Sequence, residues 1–229
     1  FKAGNVKQTS RATEFQLYAN GKSYLVRLPH IGRFNVYNAL AALAAVSAMR
    51  VPLREAVAAL ADATQVPGRM ECVGLVDSAS VFVDYAHTPD ALYNVCRALC
   101  ELEPRRLITV FGCGGDRDRE KRALMGKVAS KYSDYCFVTS DNPRSEDPER
   151  IMAQIERGMS GSVYERVVNR EEAIGAAIQE ARGGDIVLIA GKGHEDYQEL
   201  ADGRIPFDDR KLARAAMEAR RKKRGEERS

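Results

Sequence analysis

The sequence lacks a long apolar segment, and its few cysteines are not spaced to hold a metal. No run approaches the ~20 apolar residues that a membrane-spanning helix needs, and the first five residues lack the apolar stretch of a secretory signal. The five cysteines are odd in number and form no Cys-x-x-Cys pair. We therefore expect a cytoplasmic protein with buried, reduced thiols, no membrane contact and no metal site. Because an initiator Met is also missing, we expect a part of a longer protein.

Aromatic residues are absent from the most basic part of the chain. The formal net charge is +3, and residues 210–229 hold nine Lys and Arg against three Glu. The basic cluster at 220–224 follows an alanine-rich helical stretch and has no interleaved aromatic residue of the kind found in nucleic-acid interfaces. We predict a frayed, solvated terminal helix and no nucleic-acid partner.

The first part of the chain predicts a β-hairpin followed by two helices. Residues 14–28 form two alternating runs around Asn20-Gly21, the strongest short-range hairpin signal. Residues 35–49 and 53–61 are rich in Ala and Leu at helical spacing, which indicates two helices.

A Pro-Gly break at residues 66–68 precedes a region with a different pattern, so we predict domains at 1–65 and 66–229. From residue 69 on, short apolar runs alternate with amphipathic helical segments. Strands are predicted at 71–76, 80–84, 107–111, 135–139, 163–167 and 185–190, and helices near 89–101, 119–131, 148–159 and 170–181. This alternation is typical of the α/β class with a Rossmann-like, doubly wound, mostly parallel sheet, whose ligands bind at the carboxyl ends of the strands.

The strand predicted at 107–111 ends in a glycine-rich turn that is followed by charged residues. Glycines after a strand let the backbone approach an anion at a helix N-terminus, as in dinucleotide-binding folds. Arg117 replaces the third glycine of the Gly-x-Gly-x-x-Gly pattern, which favours capture of a carboxylate or phosphate over a dinucleotide. A tight turn with a solvated charge cluster explains the same residues equally well.

Polar residues also follow other predicted strands. Asp84 ends a strand and suits ribose hydroxyls, while His87 suits a phosphate; the alternative roles are support of a turn and a surface histidine. Lys192 lies between two glycines, but the Gly-x-x-x-x-Gly-Lys-Ser/Thr signature is missing. We therefore expect no triphosphate-binding loop in this chain.

Charged residues of both signs come together if these strands form one parallel sheet. Arg117, Arg144 and Glu195 follow three different strands. Guanidinium groups offer forked contacts to carboxylates, and a carboxylate pairs with an ammonium. The combination is typical of a site for an amino acid.

Five segments carry a resemblance to a known family. They are residues 66–71 (Val-Pro-Gly-Arg-Met-Glu), 83–92 (Val-Asp-Tyr-Ala-His-Thr-Pro-Asp-Ala-Leu), 111–118 (Phe-Gly-Cys-Gly-Gly-Asp-Arg-Asp), 141–144 (Asp-Asn-Pro-Arg) and 190–198 (Ala-Gly-Lys-Gly-His-Glu-Asp-Tyr-Gln). In this order they closely resemble the UDP-N-acetylmuramoyl-tripeptide synthetases of the Mur ligase family. The resemblance spans nearly the whole chain. It implies that residues 1–65 are the end of a central ATPase domain and that 66–229 are a C-terminal Rossmann-like domain.

The resemblance also implies an activity and assigns residues by position. The family joins UDP-N-acetylmuramoyl-L-alanyl-D-glutamate to a third amino acid, using ATP and Mg²⁺ to make an acyl phosphate that the incoming amine attacks. It implies nucleotide contacts for Asn35, Asn38, Arg69, Asp84 and His87. It implies a pocket for the incoming amino acid formed by Arg117, Asp141, Asn142, Arg144, Gly191 and Glu195. The family's phosphate loop, magnesium ligands and carbamylated lysine would lie upstream of Phe1, so we expect no catalytic residue within this chain.

The Asp-Asn-Pro-Arg segment resembles the members of the family that add meso-diaminopimelate. This amino acid has a second amino-acid end with its own carboxylate, for which Arg144 offers a forked and permanently charged partner. Lysine lacks this carboxylate, so an uncompensated arginine in the pocket would disfavour lysine. We therefore expect a diaminopimelate-adding ligase of peptidoglycan synthesis.

Three other interpretations stay open on the sequence. A dinucleotide-binding oxidoreductase is favoured by the glycine turn and opposed by Arg117. A folylpolyglutamate synthase shares the expected architecture and ligase chemistry, but the Asp-Asn-Pro-Arg segment is not its signature. A module that binds an amino acid or a nucleotide without turnover is the third.

Overall fold

The computed structural model describes residues 1–161 and 163–226. The chain divides after Val66 into two compact units. Among the described residues, no helix is both long enough and apolar enough to cross a membrane.

The first unit combines a three-stranded antiparallel sheet with two helices. Its elements are β1 Lys2–Gln8, β2 Thr13–Ala19, β3 Lys22–Leu28, α1 Arg33–Ala48 and α2 Leu53–Ala61. Asn20 and Gly21 join β2 to β3 with positive φ angles of 51° and 74°, as a two-residue hairpin turn requires. The predicted hairpin and both predicted helices are confirmed. Strand β1, which pairs with β2, was not predicted.

The core of the first unit lies on one face of its sheet. Because side chains alternate along a strand, Phe15 and Leu17 of β2 point to the same side. They are buried in one cluster with Val26 and Leu28 of β3 and Leu43 of α1. The helices therefore cover this face of the hairpin.

The second unit begins at Pro67 and contains a six-stranded sheet and a separate hairpin. Its strands are β4 Glu71–Val76, β5 Ala79–Asp84, β6 Leu107–Phe111, β7 Tyr135–Val138, β8 Val163–Arg166, β9 Ile186–Ala190, β10 Tyr197–Leu200 and β11 Gly203–Pro206. Its helices are α3 Pro89–Cys100, α4 Glu120–Tyr132, α5 Pro148–Glu156, α6 Arg170–Glu180 and α7 Asp209–Glu226. The hairpin of β10 and β11 was not predicted.

The strand order in the large sheet is β4-β5-β9-β6-β7-β8. All neighbours from β5 to β8 are parallel, and β9 lies between β5 and β6. Strand β4 is antiparallel to β5, because the two residues between them, Asp77 and Ser78, form a tight turn with φ angles of 47° and 67°. The predicted mostly parallel, doubly wound sheet is thus confirmed, with one antiparallel strand at its edge.

The central strands β5, β9, β6 and β7 of the large sheet are buried on both faces, whereas the edge strand β8 is exposed. Val81 and Val83 of β5 pack with Val110 of β6 in a cluster that includes residues of α6 and α7. Phe82, between the two valines, points to the opposite face and is also fully buried. Burial on both faces explains the nearly continuous apolar sequence of these strands.

The terminal helix α7 packs against the second unit, which corrects the prediction of a frayed tail, whereas residues 221–224 are exposed as predicted. Arg220 is 6% exposed, donates to the carbonyl oxygens of Ile178 and Gln179, and forms an ion pair of 2.8 Å with Asp77. Arg224 approaches the same carboxylate to 2.6 Å. A pattern of basic residues cannot show these partners, because Asp77 lies far away in the sequence. Residues 227–229 of the predicted tail lie outside the described residues.

Candidate functional site

Loops that follow neighbouring parallel strands form a pocket at one edge of the sheet. Strands β5, β9, β6 and β7 are adjacent in this order, so their carboxyl ends lie side by side. The pocket has a volume of about 350 Å³. All six residues predicted for the amino-acid pocket line it: Arg117, Asp141, Asn142, Arg144, Gly191 and Glu195. Tyr85, Lys121 and Tyr197, which were not predicted, also line it.

The glycine turn after β6 packs tightly against the loop after β7. A β-carbon at Gly112 would lie 2.2 Å from the carbonyl oxygen of Thr139, and one at Gly115 would lie 1.9 Å from that of Pro143. Both distances are far below van der Waals contact, so a side chain at either position would push the loops apart. The glycines therefore allow two loops to touch, and the dinucleotide interpretation loses its main support.

Asn142 is the centre of the hydrogen bonds that hold the pocket wall. Its side-chain oxygen accepts hydrogen bonds from Lys192 Nζ at 2.6 Å and from the backbone N–H of Glu199 at 3.0 Å. Its amide nitrogen donates to Glu195 Oε2 at 3.0 Å. Asn142 therefore ties the loop after β7 to the loop after β9 and to β10.

Lys192 is a buried cation with a structural role. Its side chain is fully buried, and Nζ also donates to the carbonyl oxygen of Tyr197 at 2.8 Å. Burial lowers the pKa of this ammonium, and the nearby Asp141 carboxylate opposes that shift. A lysine that binds phosphate needs an accessible end, so this geometry agrees with the missing triphosphate signature.

Asp141 and Glu195 bring negative charge to the pocket. Glu195 Oε2 lies 3.6 Å from Lys192 Nζ, and its other oxygen accepts a long hydrogen bond of 3.5 Å from the Tyr85 hydroxyl. Asp141 is 8% exposed, and its Oδ2 has no hydrogen-bond partner among the described residues. A β-carbon at Gly191 would lie 2.5 Å from this oxygen, so the glycine makes room for the carboxylate. The two carboxylates suit an ammonium ligand.

Arg170, which the sequence patterns did not single out, lies beside Asp141. Its guanidinium is fully buried and forms an ion pair of 2.7 Å with Asp209 at the start of α7. It also donates to the carbonyl oxygen of Ala190 at 3.0 Å, and its Nη1 is 4.0 Å from Asp141 Oδ2. Arg170 is the first residue of α6, and no sequence pattern predicts that an arginine at this position is buried. Its partner Asp209 is 39 residues away in the chain.

The two arginines of the pocket differ in their surroundings. Arg117 is exposed and donates to the carbonyl oxygen of Asp116 at 3.2 Å. Arg144 is partly buried; its Nε donates to Glu199 Oε2 at 2.8 Å and its Nη1 to the carbonyl oxygen of Gly115 at 2.8 Å. Arg144 therefore already has a carboxylate partner, and the expected penalty against lysine stays a prediction. Strand β10, which was not predicted, supplies a carboxylate beside it.

Asp84, predicted to contact the nucleotide, holds two turns of its own chain. It is 6% exposed, and its oxygens accept hydrogen bonds from the backbone N–H groups of Met70 at 2.7 Å and Ala86 at 2.8 Å. Burial raises the pKa of this carboxyl, and the two backbone hydrogen bonds oppose the shift. This geometry supports the alternative role in which Asp84 braces a turn.

Arg69 and His87, also predicted for the nucleotide, flank the ring of Tyr85. The Arg69 guanidinium lies 4.7 Å from the ring centroid, and the His87 imidazole centroid lies 4.6 Å from it. Both side chains are exposed. The structure thus gathers Arg69 and His87 around one ring, and their contact with a nucleotide stays a prediction.

Asn35 and Asn38 lie in the first unit on one face of α1. Asn38 donates to the side-chain oxygen of Asn35 at 3.1 Å, and Asn35 donates to the carbonyl oxygen of Ile31 at 2.8 Å. Their role near a nucleotide stays a prediction.

Within residues 1–161 and 163–226, no group of three or more His, Cys, Asp or Glu side chains is placed to hold a metal ion. A Mg²⁺ ion held by substrate phosphates and one or two carboxylates would not need such a group, so the Mg²⁺ that the resemblance implies stays a prediction.

Comparison with known families finds matches in both units. Residues 68–193 match the family model for the Mur ligase glutamate ligase domain, and residues 1–46 match the model for the Mur ligase middle domain. The chain is 50% identical over 216 residues to the UDP-N-acetylmuramoyl-L-alanyl-D-glutamate–2,6-diaminopimelate ligase of Syntrophomonas wolfei, covering 93% of this chain and 44% of that protein. It is 47% identical over 220 residues to the ligase of the same name from Geobacillus kaustophilus, covering 95% and 45%. The chain thus spans less than half the length of the curated relatives it matches.

Solved structures show the same similarity. A structure of a UDP-N-acetylmuramoyl-L-alanyl-D-glutamate–2,6-diaminopimelate ligase matches with a TM-score of 0.74 and 41% identity, covering 96% of this chain and 45% of that one. A folylpolyglutamate synthase of Mycobacterium tuberculosis matches with a TM-score of 0.67 and 23% identity, covering 82% and 44%. At that identity, the second match shows a shared fold alone.

Proposed function

The chain belongs to the Mur ligase family, and from this membership we propose that it is the C-terminal part of an ATP-dependent ligase that adds meso-diaminopimelate to UDP-N-acetylmuramoyl-L-alanyl-D-glutamate. The observation that carries the proposal is the gathering of all six predicted pocket residues, from three separate loops, around one cavity. The printed names of the most similar relatives point to the same substrates.

The pocket offers the charges that a diamino dicarboxylic acid needs. Asp141 and Glu195 suit ammonium groups, and Arg117 and Arg144 suit the two carboxylates, through hydrogen bonds that are about twice as strong as neutral ones. Lysine has a single carboxylate and cannot use both arginines. The volume of about 350 Å³ falls in the range of small-molecule sites. This charge pattern therefore favours diaminopimelate over lysine.

The residues of this chain act by binding and orienting the incoming amino acid. ATP, when bound, supplies the phosphoryl group that activates the D-glutamate carboxylate. The attacking amine must be neutral, so an ammonium held in the pocket has to lose a proton first. Bulk water or the Glu195 carboxylate, which lines the pocket, accepts that proton. Holding the amine in one position replaces a bimolecular encounter with an oriented one.

The same proposal assigns nucleotide contacts to Asn35, Asn38, Arg69, Asp84 and His87. Arg69 and His87 are exposed; His87 Nδ1 contacts the carbonyl oxygen of Tyr85 at 2.8 Å, which leaves Nε2 of His87 and the Arg69 guanidinium for phosphate oxygens. Asp84 acts on the nucleotide indirectly, because its hydrogen bonds to Met70 and Ala86 fix the turns that carry Arg69 and His87. Mg²⁺ is part of the proposed reaction, although the described residues contain no group of three or more His, Cys, Asp or Glu side chains placed to hold a metal ion.

The proposed reaction belongs to the cytoplasmic stage of peptidoglycan synthesis. It links the protein to cell-wall biogenesis and, through the wall, to cell shape and cell division. Its partners are small molecules, namely the uridine nucleotide substrate, diaminopimelate and ATP. No nucleic-acid partner is part of the proposal.

A ligase that carries this chain as its C-terminal part tests the proposal. Incubated with UDP-N-acetylmuramoyl-L-alanyl-D-glutamate, ATP and Mg²⁺, it is expected to release ADP only when meso-diaminopimelate is added, and mass spectrometry should detect the tripeptide product. Release of ADP with a folate and glutamate instead would favour a folylpolyglutamate synthase-like ligase. Binding of diaminopimelate without ADP release under any of these conditions would favour a binding module.

A further inference from the structure

Glu199 contacts Arg144 but does not line the pocket. Its Oε2 accepts a hydrogen bond from Arg144 Nε at 2.8 Å, and its backbone carbonyl oxygen accepts one from the Arg144 N–H at 3.1 Å. Both side chains of this pair are partly exposed, at 21% for Arg144 and 26% for Glu199. Arg144 lines the pocket and Glu199 does not. An effect of Glu199 on a ligand in the pocket therefore has to pass through another residue.

The position of Glu199 is itself fixed by the pocket loops. Its backbone N–H donates to Asn142 Oδ1 at 3.0 Å, and Asn142 is held in turn by Lys192. On the other side, the Arg144 guanidinium donates through Nη1 to the carbonyl oxygen of Gly115 at 2.8 Å. Two of the three guanidinium nitrogens are thus engaged by the protein. Among the described residues, Nη2 of Arg144 has no hydrogen-bond partner.

We propose that Glu199 is a positioning residue for substrate choice: it holds the Arg144 guanidinium through Nε and so presents the unengaged Nη2 to a ligand carboxylate. This inference rests on the proposed function, in which Arg144 meets the distal carboxylate of diaminopimelate. A flexible arginine must lose side-chain freedom when it binds, whereas an arginine held at two nitrogens has already lost it. Glu199 also places a carboxylate oxygen beside Arg144 before the ligand arrives, while its other oxygen contacts Arg204 at 3.4 Å. Discrimination against lysine then comes from a directed hydrogen bond more than from unpaired charge.

A double-mutant cycle on this 229-residue chain separates positioning from general support. Titration of meso-diaminopimelate and of L-lysine is followed by NMR for the unmodified chain, Glu199→Ala, Arg144→Ala and the double variant. Glu199→Ala should weaken diaminopimelate binding by about 3- to 10-fold, the equivalent of re-ordering one long side chain, and leave lysine unchanged. In the Arg144→Ala background the same substitution should change binding by less than about 2-fold. Glu199→Gln, which keeps an acceptor oxygen, should restore part of the loss.

The Nε–Hε resonance of Arg144 reports the contact without any ligand. It should move toward the position of a solvated arginine in Glu199→Ala and move less in Glu199→Gln. Glu180→Ala is the matched control, because Glu180 pairs with Arg106 at the same distance of 2.8 Å, at the amino end of the strands. It should leave both the Arg144 resonance and diaminopimelate binding unchanged.

Each other result overturns a defined part of the account. If Glu199→Ala weakens diaminopimelate binding equally with and without Arg144, Glu199 stabilises the pocket in general and does not act through Arg144. If Glu199→Ala weakens binding in neither background, Glu199 has no role in binding. A failure of the unmodified chain to bind diaminopimelate would overturn the specificity role of Glu199 in this chain, whereas the proposed function is tested separately by ADP release in a ligase that carries it. In that case, a shift of the Arg144 resonance still shows that Glu199 orients the guanidinium, so the two failures are distinguishable.

Discussion

The ammonium of Lys192 donates a hydrogen bond of 2.6 Å to the side-chain oxygen of Asn142, and this contact joins the loops after β9 and β7. Both residues are buried, and Asn142 also donates to Glu195 in the pocket. A phosphate-loop interpretation would predict that Lys192 binds ATP. In the structure, Lys192 is instead a fixed part of the pocket wall. The polar residues that a ligand meets are held by a buried cation beneath them.

Lys192→Met tests this structural role. The substitution keeps most of the side-chain volume but leaves buried acceptors at Asn142 and Tyr197 with one donor fewer. Removing one member of a buried charged network costs about 3–5 kcal/mol, so the free energy of unfolding should fall by that order. Chemical denaturation of the chain and of the variant measures the difference. An unchanged stability would contradict the structural role and return Lys192 to the ligand-binding candidates.

Asp84→Ala should lower stability and weaken the use of ATP together. The variant leaves the buried N–H groups of Met70 and Ala86 without their acceptor. Each unsatisfied group lowers the free energy of unfolding by about 1–3 kcal/mol. The turns that carry Arg69 and His87 then loosen, so a ligase carrying this chain should need more ATP for half-maximal rate. Melting temperature and the KM for ATP are the two measurements. A destabilised variant with an unchanged KM for ATP would show that Asp84 has no role in nucleotide binding.

The 229-residue chain by itself should bind ATP weakly and should not hydrolyse it. Residues predicted to contact the nucleotide are present, but the phosphate-loop signature is missing from the sequence. Calorimetric titration measures the binding, and a coupled assay measures ADP release with all substrates added. Substrate-dependent release of ADP by the purified chain would overturn this prediction.

Glu146 should make stability depend on pH in the acid range. Fully buried Arg122 donates to both of its oxygens, at 2.8 and 3.0 Å, and holds the pKa of this carboxyl at about 2, below its usual value of 4.5. A depressed pKa stabilises the fold above pH 4.5, and that contribution is lost as the pH falls toward 2. Glu146→Gln should therefore cost about 2–4 kcal/mol at pH 7 and progressively less between pH 4.5 and 2. Denaturation curves at several pH values check this, and a difference that stays constant with pH would argue against the pair.

Local signals explain why most elements could be predicted from the sequence. Asn20-Gly21 specifies a two-residue turn by backbone geometry alone, and the apolar central strands of the large sheet are buried whatever their order. The separate hairpin was missed because β10 and β11 are short and lack a clear apolar alternation, although Asp202-Gly203 is a turn signal. The position of β9 between β5 and β6 depends on tertiary packing, which no local pattern contains.

The site shows the same division between local and long-range information. Arg117, Asn142 and Glu195 could be expected in one pocket, because the carboxyl ends of parallel strands share an edge. Their partners could not be expected. Glu199 belongs to the missed hairpin, and Arg170 is buried only because Asp209 meets it from a distant helix.

The preference for diaminopimelate over lysine tests the central claim most directly. If Arg144 binds the distal carboxylate of diaminopimelate as proposed, Arg144→Ala in a ligase that carries this chain removes a charge-assisted contact that lysine cannot make. Such contacts contribute about 1.5–3 kcal/mol, so kcat/KM for diaminopimelate should fall by about ten- to hundredfold or somewhat more, while that for lysine should not change. Arg144→Lys should restore only part of the loss, because an ammonium lacks the planar fork.

The decisive measurement is the ratio of kcat/KM for meso-diaminopimelate to that for L-lysine, taken with the melting temperature of each variant. Arg144 also contacts Glu199 and Gly115, so some loss of stability accompanies its removal, and the melting temperature separates that loss from a change in specificity. A folded Arg144→Ala variant whose ratio has collapsed agrees with a pocket built for a second carboxylate. A folded variant with an unaltered ratio would contradict the assignment of Arg144 to diaminopimelate.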